Sequence, residues 1–401
     1  MKKFLILLIC VFSILQTTQA KKIKAGVVVF GANAAGLAAA IQSAHSGVET
    51  VLIDEGYFTS VTLNPADTTN KAGVYWDLLN RIDSLKKKST SPVSLTNSSD
   101  MARVFKGWTD TIKNLSVFTN VRIKKIKKDG RNWEIELTDG RELKPDVVID
   151  ATPGNQAAKM AGFSANGTAP AAGAYTNKLF RTGLAAIEST NYPATLPVSA
   201  LLTSATENLI LLGTPQAPAT ILTGQAAGAT GAFCAFYNTT TKNLNVRVIQ
   251  GELLVYKTQL LSFEDVALTD STFAAIQRIA ITGIMKGSLS EGKFLFRPEE
   301  TVSAEDIRLS VREYFSRSQI WFLDNNQDKL TLGDALSLIK FTAARADELD
   351  REVERGWNSS LKLSGKFDPA KVITRRELAV LMDRYMRPFD RRVDLQGNLK
   401  I

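Results

Sequence analysis

The sequence predicts an α/β domain built on a parallel sheet, followed by a smaller, all-α domain of internal repeats. In the first region, residues 25–54 run through an apolar strand, a turn of small residues, a helix and a second strand that ends on an acid. In the second region, residues 296–303 resemble residues 367–374, an offset of about 71 residues that suggests a duplicated unit. A chain of 401 residues is long enough for two such domains.

The first twenty residues have the pattern of a secretory signal peptide. Lys2 and Lys3 precede an apolar run, Phe4 to Leu15, and a polar stretch with small residues then leads to Ala20. The apolar run is shorter than the roughly 20 residues that a membrane-spanning helix needs. We therefore expect cleavage after Ala20, export to the periplasm, the cell surface or the medium, and no integral membrane segment.

The remaining chain divides into domains at 21–245 and 246–401, with a polar segment, 238–245, as the linker. Helical periodicity, strand composition and turn residues define the elements of the first domain. We predict strands over 27–30, 117–126, 132–137, 147–149 and 209–212, and helices over 34–46, 74–85, 100–113 and 223–236. The strands at 117–126 and 132–137 form an inserted β-meander, whereas the fully apolar strands suit a parallel sheet that is buried on both faces.

The turn at residues 31–36 reads Gly-Ala-Asn-Ala-Ala-Gly, where a dinucleotide-binding fingerprint has Gly-x-Gly-x-x-Gly. Gly31 makes the tight turn, and Gly36 lets the helix pack closely on the strand. Asn33 places a side chain where the second glycine would let the backbone approach a pyrophosphate. Asp54 is expected to accept hydrogen bonds from a ribose. The sequence therefore predicts a Rossmann-like FAD/NAD(P)-binding domain in which one of three glycine positions is altered.

Four segments, taken in order, resemble the FAD-dependent oxidoreductases of the glutathione-reductase-like flavin fold. They are the opening unit, Asn-Val-Arg-Ile at 120–123, Val-Ile-Asp-Ala-Thr-Pro-Gly at 148–154, and Asn208–Gly213 together with Thr223–Gly228. The resemblance implies FAD as the cofactor. The cofactor-binding residues that it implies are Gly31, Ala32, Asn33, Ala34, Ala35, Gly36, Asp54, Glu55, Ile123, Ala151, Thr152, Gly154, Gly213, Gly224, Gln225 and Ala226.

The chain also departs from that family. The family's glycine pair after the second strand is absent, Pro153 interrupts the third segment, and the region between Gly162 and Asn208 is short for a substrate domain. The helix that starts near Thr223 either faces the flavin or packs closely on the sheet through its small residues, and the sequence leaves both interpretations open.

No catalytic residue is predicted from the sequence. His45, the single histidine, falls at the end of the first helix, where a solvent-facing residue interacting with the helix dipole is expected. Cys234 lies among small and aromatic residues of a packed helix and is interpreted as a buried, inert thiol. The segment 324–328 departs from the calcium-loop pattern and is interpreted as a turn, so no metal site is predicted. Redox chemistry would therefore belong to the flavin.

The second domain places Ser303, Thr331 and Thr374 three residues before an acid at the start of a helical pattern, which is the spacing of a capping box. The stretch Asp270–Phe315 and the sequence Thr-Arg-Arg-Glu at 374–377 resemble S-layer homology motifs. That resemblance implies cell-wall polysaccharide as a ligand and Arg375 as the residue to test. The alternative is that these residues are helix caps alone.

The sequence therefore supports an exported FAD-dependent oxidoreductase whose substrate and redox partner are unidentified. A non-catalytic cell-envelope binding protein that keeps the fold, with weak or lost cofactor, is the alternative. A nicotinamide dinucleotide in place of FAD is a third hypothesis, disfavoured by the order of segments after residue 120. The net charge of +9 comes with basic runs at 86–88 and 124–128, but no nucleic-acid motif accompanies them.

Overall fold

The structure, a computed structural model, describes residues 22–56, 58, 61, 63, 71–88, 97–164, 172–187 and 193–400. The expected signal peptide lies outside these residues. The strands are β1 Lys22–Ile23, β2 Val27–Phe30, β3 Thr50–Ile53, β4 Leu115–Phe118, β5 Ile123–Asp129, β6 Asn132–Leu137, β7 Glu142–Leu143, β8 Val147–Asp150, β9 Ala172–Gly173, β10 Gly183–Ile187, β11 Ala194–Pro197, β12 Leu209–Leu211, β13 Ser288–Ser290 and β14 Lys293–Leu295. The α-helices are α1 Ala34–His45, α2 Val74–Lys88, α3 Ser98–Thr109, α4 Gln156–Met160, α5 Ile221–Phe236, α6 Val246–Val255, α7 Phe273–Thr282, α8 Ala304–Tyr314, α9 Ser318–Asp324, α10 Leu332–Ala343, α11 Glu348–Gly356 and α12 Arg375–Leu381.

A five-stranded parallel sheet forms the centre of the first region, with strand order β12-β8-β2-β3-β4. Every residue of β2, β3 and β8 is buried, because helices or further strands cover both faces of the sheet. Successive strands β2 and β3 connect through α1, so the predicted βαβ opening is confirmed. The chain reaches the other side of β2 only later, with β8.

Helices α1 and α5 pack side by side on one face of this sheet through very small residues. A Cβ atom added at Gly224 would lie 2.1 Å from the carbonyl oxygen of Ala35, and one added at Gly228 would lie 2.3 Å from that of Ala39. Both distances are far below van der Waals contact, so glycine alone fits at these two positions. The small-residue composition of the 223–236 helix therefore has a packing role.

The predicted strand over 117–126 is wrong in one respect: the structure has two strands there. β4 belongs to the parallel sheet, and β5 belongs to a second sheet of order β1-β7-β6-β5, which is the expected meander with β1 added at its edge. Between them Asn120 adopts a left-handed conformation with φ of 55°, which turns the chain from one sheet into the other.

The polar segment 238–245 is not the free linker that its composition suggested. The backbone N–H of Thr241 donates to the side chain of Asn208, and the Thr241 hydroxyl accepts the backbone N–H of Asn208, each over 3.0 Å. These reciprocal bonds fasten the segment to the start of β12. The segment that leads into residues 246–400 is therefore anchored to the sheet.

The second region holds helices α6 to α12 and a two-stranded hairpin, β13–β14, so its expected all-α character is not confirmed. The three predicted capping boxes are present at Ser303, Thr331 and Thr374. Copies of the repeat meet directly, since Thr301 forms a β-bridge with Thr374, and Thr331 forms one with Val372. The repeat thus places equivalent loops against each other.

The two regions share one apolar cluster, which extends from Val27 to Val393. Across their contact, the guanidinium of Arg181 donates to both carboxylate oxygens of Glu313, one of the bonds measuring 2.8 Å. Arg181 is buried, so this ion pair holds the regions in a fixed relation. Among the described residues, none of the helices combines the length and apolar character needed to cross a bilayer.

Candidate functional site

The predicted site lies where the carboxyl ends of β2 and β8 meet. Gly31 leaves β2 with φ of +92°, and a Cβ atom there would lie 3.0 Å from the carbonyl group of Ala151, the residue that follows β8. The chain runs from β2 to β3 on one side and returns to β8 on the other, so this is the topological switch point of the sheet. Open α/β sheets bind their ligands in the crevice at such a point.

Gly36 performs the packing role that the fingerprint gives to its last glycine. A Cβ atom at Gly36 would lie 1.9 Å from the carbonyl oxygen of Gly31, so any larger residue would force α1 away from the turn. The helix consequently starts directly above the strand end, with its N-terminus at the crevice.

Asn33 is the N-cap of α1 and spans the crevice. Its Oδ1 accepts the backbone N–H of Gly36 over 2.9 Å, and its Nδ2 donates to the carbonyl oxygen of Ala151 over 2.6 Å. The side chain therefore occupies one of the helix N–H groups and ties α1 to the end of β8. Among the described residues no acceptor is found for the N–H groups of Ala34 and Ala35, which leaves two donors at the N-terminus for an anion.

Asp54, the predicted ribose-binding acid, is buried and already hydrogen-bonded. One carboxylate oxygen accepts the N–H of Ala32 over 3.4 Å, and the other accepts the N–H of Phe58 over 3.0 Å. Asp54 thus holds the turn and the chain after β3 in place. The neighbouring Glu55 is exposed and lies 3.4 Å from the guanidinium of Arg122, which makes it the accessible acid at this position.

Ile123 is not at the crevice; it starts β5 and pairs with Leu137 in the meander. The preceding residues are the ones that run beside β3. The N–H of Asn120 donates to the carbonyl oxygen of Gly56, and that of Val121 donates to the carbonyl oxygen of Asp54. The residues of this segment that contact the end of β3 lie two or three positions before Ile123, because the strand that was predicted to contain Ile123 divides in two.

The loop after β8 is held by Asp150, which is fully buried. Its carboxylate accepts the N–H of Thr152 over 2.9 Å, the Thr152 hydroxyl, and the N–H of Ala158 over 2.7 Å. Burial raises the pKa of Asp150 above its ordinary value, while these hydrogen bonds act against that rise. Ala151 and Thr152 therefore lie at the crevice, whereas Gly154 is exposed at the tip of the loop with φ of +67°.

The predicted flavin-facing residues have mainly structural contacts. Gly213, exposed with φ of +76°, makes the turn after β12, and Gly224 contacts α1 as described above. Gln225 is fully buried: its Oε1 accepts the N–H of Val74, and its Nε2 donates to Gln42 over 2.8 Å. Ala226 is fully buried as well. Of the two interpretations that the sequence left open for this helix, close packing is the one supported by its contacts.

Two further predicted assignments are resolved by burial. Cys234 is fully buried, and desolvation raises the pKa of its thiol to about 12, so it is the inert thiol that was expected. His45 is not a solvent-facing cation. Its ring stacks on Tyr256 at 5.6 Å, and burial lowers the pKa of the imidazole. Among the described residues, no group of three or more His, Cys, Asp or Glu side chains is arranged to hold a metal ion.

Arg375 is engaged within the second region. Its Nε donates to the carbonyl oxygen of Phe296 over 2.7 Å and one terminal nitrogen donates to that of Lys286 over 2.6 Å, while the guanidinium lies 4.7 Å from the centre of the Phe296 ring. These contacts join α12 to the hairpin region of the preceding repeat. A structural role accounts for this arginine.

Residues 26–197 match the family model described as FAD dependent oxidoreductase. The match covers most of the first region, and it supports FAD as the cofactor and the Rossmann-like flavin fold. No curated protein matches the chain significantly.

Solved structures with local similarity include a thioredoxin reductase from T. acidophilum, at 21% identity, TM-score 0.23, 32% of this chain and 34% of that one. A p-nitrophenol 4-monooxygenase from Pseudomonas putida matches at 18% identity, TM-score 0.25, 32% of this chain and 40% of that one. A bacillithiol disulfide reductase from Staphylococcus aureus matches at 17% identity, TM-score 0.22, 33% of this chain and 39% of that one. The chain thus spans between a third and two fifths of the length of these proteins.

The crevice fits the pyrophosphate of FAD in part. The turn at Gly31, the close approach at Gly36 and the two unpaired N–H groups of α1 suit a phosphate. The bridging side chain of Asn33 and the buried, occupied carboxylate of Asp54 oppose tight binding. These contacts match a dinucleotide-binding turn in part and depart from it at Asn33 and Asp54.

A separate cavity lies at the other end of α1, and local sequence patterns indicate it only weakly. It has a volume of about 770 Å³ and is lined by residues of α1, α2 and α3, including His45, Asp77, Arg81 and Trp108. The available signal was a polar stripe at Asp77, Asn80, Arg81 and Ser84, whose spacing puts these residues on one face of α2. Such a stripe ordinarily marks a solvated face.

Proposed function

We propose that the protein is an exported FAD-dependent oxidoreductase with a low-affinity flavin site. The observation that carries the proposal is the crevice between β2 and β8, where Gly31, Gly36 and the N-terminus of α1 keep the arrangement of a dinucleotide-binding turn. Its substrate and its redox partner are unidentified. Export rests on the pattern of residues 1–20.

In this proposal the backbone N–H groups of Ala34 and Ala35, with the positive end of the α1 dipole, hold the pyrophosphate. Glu55 takes the adenosine ribose in place of Asp54, whose two oxygens already accept backbone N–H groups. When bound, FAD supplies two-electron redox chemistry. The protein's own part is to position the cofactor, since neither His45 nor Cys234 lies at the crevice in a reactive state.

A non-catalytic envelope protein that has largely lost the cofactor is the second candidate function. The bridge from Asn33 to Gly36 and Ala151 favours it, because these hydrogen bonds must break or rearrange before a pyrophosphate can reach the backbone. For this candidate, cell-wall polysaccharide is the proposed ligand of residues 246–401. Arg375 is a poor choice for the contact residue, since its guanidinium already donates to two carbonyl oxygens.

The deciding experiment is purification of the mature protein from an exporting host. Its visible absorbance is recorded, and any released cofactor is identified by chromatography. Bound flavin, or flavin taken up on incubation with FAD, supports the oxidoreductase. Colourless protein that fails to take up FAD contradicts it, and a released nicotinamide dinucleotide would favour that cofactor instead. Pull-down on purified cell-wall polysaccharide tests the envelope protein.

A further inference from the structure

The cavity at the far end of α1 is remote from the dinucleotide crevice. The crevice lies at the N-terminus of α1, and His45 at the C-terminus lines the cavity. A helix of 12 residues separates the two by about 18 Å. A volume of about 770 Å³ is within the range of small-molecule binding sites. A second cavity of about 400 Å³ adjoins it and shares His45 and Arg81 in its lining.

Trp108 lines this cavity but keeps its indole N–H closed off from it. The residue is 1% exposed, and its indole Nε1 is buried and has no hydrogen-bond partner in the part of the chain that the structure describes. Because that nitrogen has almost no accessible surface, a ligand in the cavity cannot reach it. Trp108 instead supports the guanidinium that lies over its ring.

Arg81 supplies an exposed cation over the Trp108 ring. Its guanidinium carbon lies 4.6 Å from the centre of the Trp108 ring. Within the described residues no carboxylate oxygen lies within 4.0 Å of its nitrogen atoms, although Asp77 acts on it through space from one turn earlier. The fork of N–H donors is therefore free to bind a carboxylate or a phosphate.

The charges around the two cavities are predominantly positive. Arg103 lines the larger cavity, although it also pairs with Asp100, and Lys113 lines the smaller one. Asp77 is the single acid among the lining residues, and burial raises the pKa of its carboxyl. Burial also lowers the pKa of His45, which favours the neutral form of its imidazole. The cavity as a whole favours an anion.

The rest of the lining is mixed, since Asn80 and Ser84 are polar and Leu85 is an apolar side chain that is 40% exposed. We propose that this cavity is a second ligand site, which takes a small anion. Arg81 binds its carboxylate or phosphate group, and Leu85 contacts an apolar part of the molecule.

The test is isothermal titration calorimetry of the full mature chain with benzoate, phenyl phosphate and benzamide. Benzamide keeps the ring but has no charge. Both anions, or one of them, are expected to bind at least tenfold more tightly than benzamide. Benzoate without phenyl phosphate assigns the site to carboxylates, and the converse assigns it to phosphates. Equal binding of all three, or no binding by either anion, overturns the proposal.

Two variants test the assignment of anion binding to Arg81. Arg81→Met keeps the aliphatic stem and removes the charge, and it should weaken anion binding about tenfold. Trp108→Phe keeps a buried ring under Arg81 and removes an N–H that a ligand cannot reach, so it should leave binding nearly unchanged. Arg355→Met makes the same change at an exposed, distant site and should leave affinity unchanged. Circular dichroism verifies that each variant is folded. Unchanged affinity in folded Arg81→Met contradicts the assignment.

Discussion

Replacing Asn33 with glycine tests whether this side chain is what weakens the flavin site. The change restores Gly-x-Gly-x-x-Gly and removes two hydrogen bonds, one to the N–H of Gly36 and one to the carbonyl oxygen of Ala151. It therefore frees a third N–H group at the N-terminus of α1 and opens the approach to the backbone.

The expected effects on stability and affinity have opposite signs. An Asn-to-Gly change at an N-cap costs only a few tenths of a kcal/mol. The lost bond to Ala151 adds about 1 kcal/mol. Together they predict a loss of about 1.5 kcal/mol, which lowers Tm by about 2 °C in a chain of this length. One additional charge-assisted hydrogen bond to a phosphate predicts about a tenfold gain in FAD affinity.

Differential scanning calorimetry measures the first quantity, and FAD fluorescence titration of the purified protein measures the second. Asn33→Ala is the matched control, since it loses both hydrogen bonds but keeps a Cβ atom in the turn. Its stability should fall at least as far, and its gain in affinity should be smaller. An Asn33→Gly protein that binds FAD no better than wild type would refute the reasoning, whatever its Tm.

Three further sets of substitutions test the packing and the polar contacts. Gly224→Ala should destabilise by about 1–3 kcal/mol, because its Cβ atom would lie 2.1 Å from a backbone oxygen of α1. Gly251 is a helical glycine with open space around it, so Gly251→Ala serves as the control and should stabilise the protein slightly. Urea unfolding titrations measure both effects. Gln42→Leu and Gln225→Leu should each lower the free energy of unfolding by about 1–3 kcal/mol, and the double variant should lower it by less than the sum. Fully additive losses would contradict an interaction between the two buried amides. Glu313→Gln should cost about 1–2 kcal/mol at pH 7, because it weakens the ion pair with a buried guanidinium. That guanidinium lowers the pKa of Glu313, so in wild type this stabilisation is complete above the unfolded-state pKa near 4.5 and is lost as pH falls through the folded-state pKa. Urea midpoints from pH 7 to pH 3 should therefore fall more steeply for wild type than for Glu313→Gln, and parallel curves would count against the interaction.

Local sequence identified the elements that have strong local signals. The strand β2 is fully apolar, and β3 and β8 each contain three consecutive apolar residues, which is typical of parallel strands buried on both faces. The capping boxes at Ser303 and Thr374 were also visible, because each depends on two residues three positions apart. Interactions of this range are encoded within a few residues, so they can be read without the fold.

Signals for the site were less complete. The turn at residues 31–36 was recognised, and its glycines have the expected roles. Asp54, however, points into the protein, where two backbone N–H groups occupy its carboxylate. Gln225 was predicted beside a cofactor and instead joins three helices. The residue type shows which hydrogen bonds a side chain can form, but its partners come from distant parts of the chain.

By itself, then, the sequence determined the parallel α/β core, the glycine turn and the repeated, capped helices, because periodicity and turn chemistry act over a few residues. Only the tertiary structure decided how the turn is occupied and where a second cavity lies. Asn33 contacts Ala151, 118 residues away, and His45 shares a cavity with Trp108. Contacts of such long range depend on how α1, α2 and α3 pack around the sheet, and that packing is the cooperative result of the whole core.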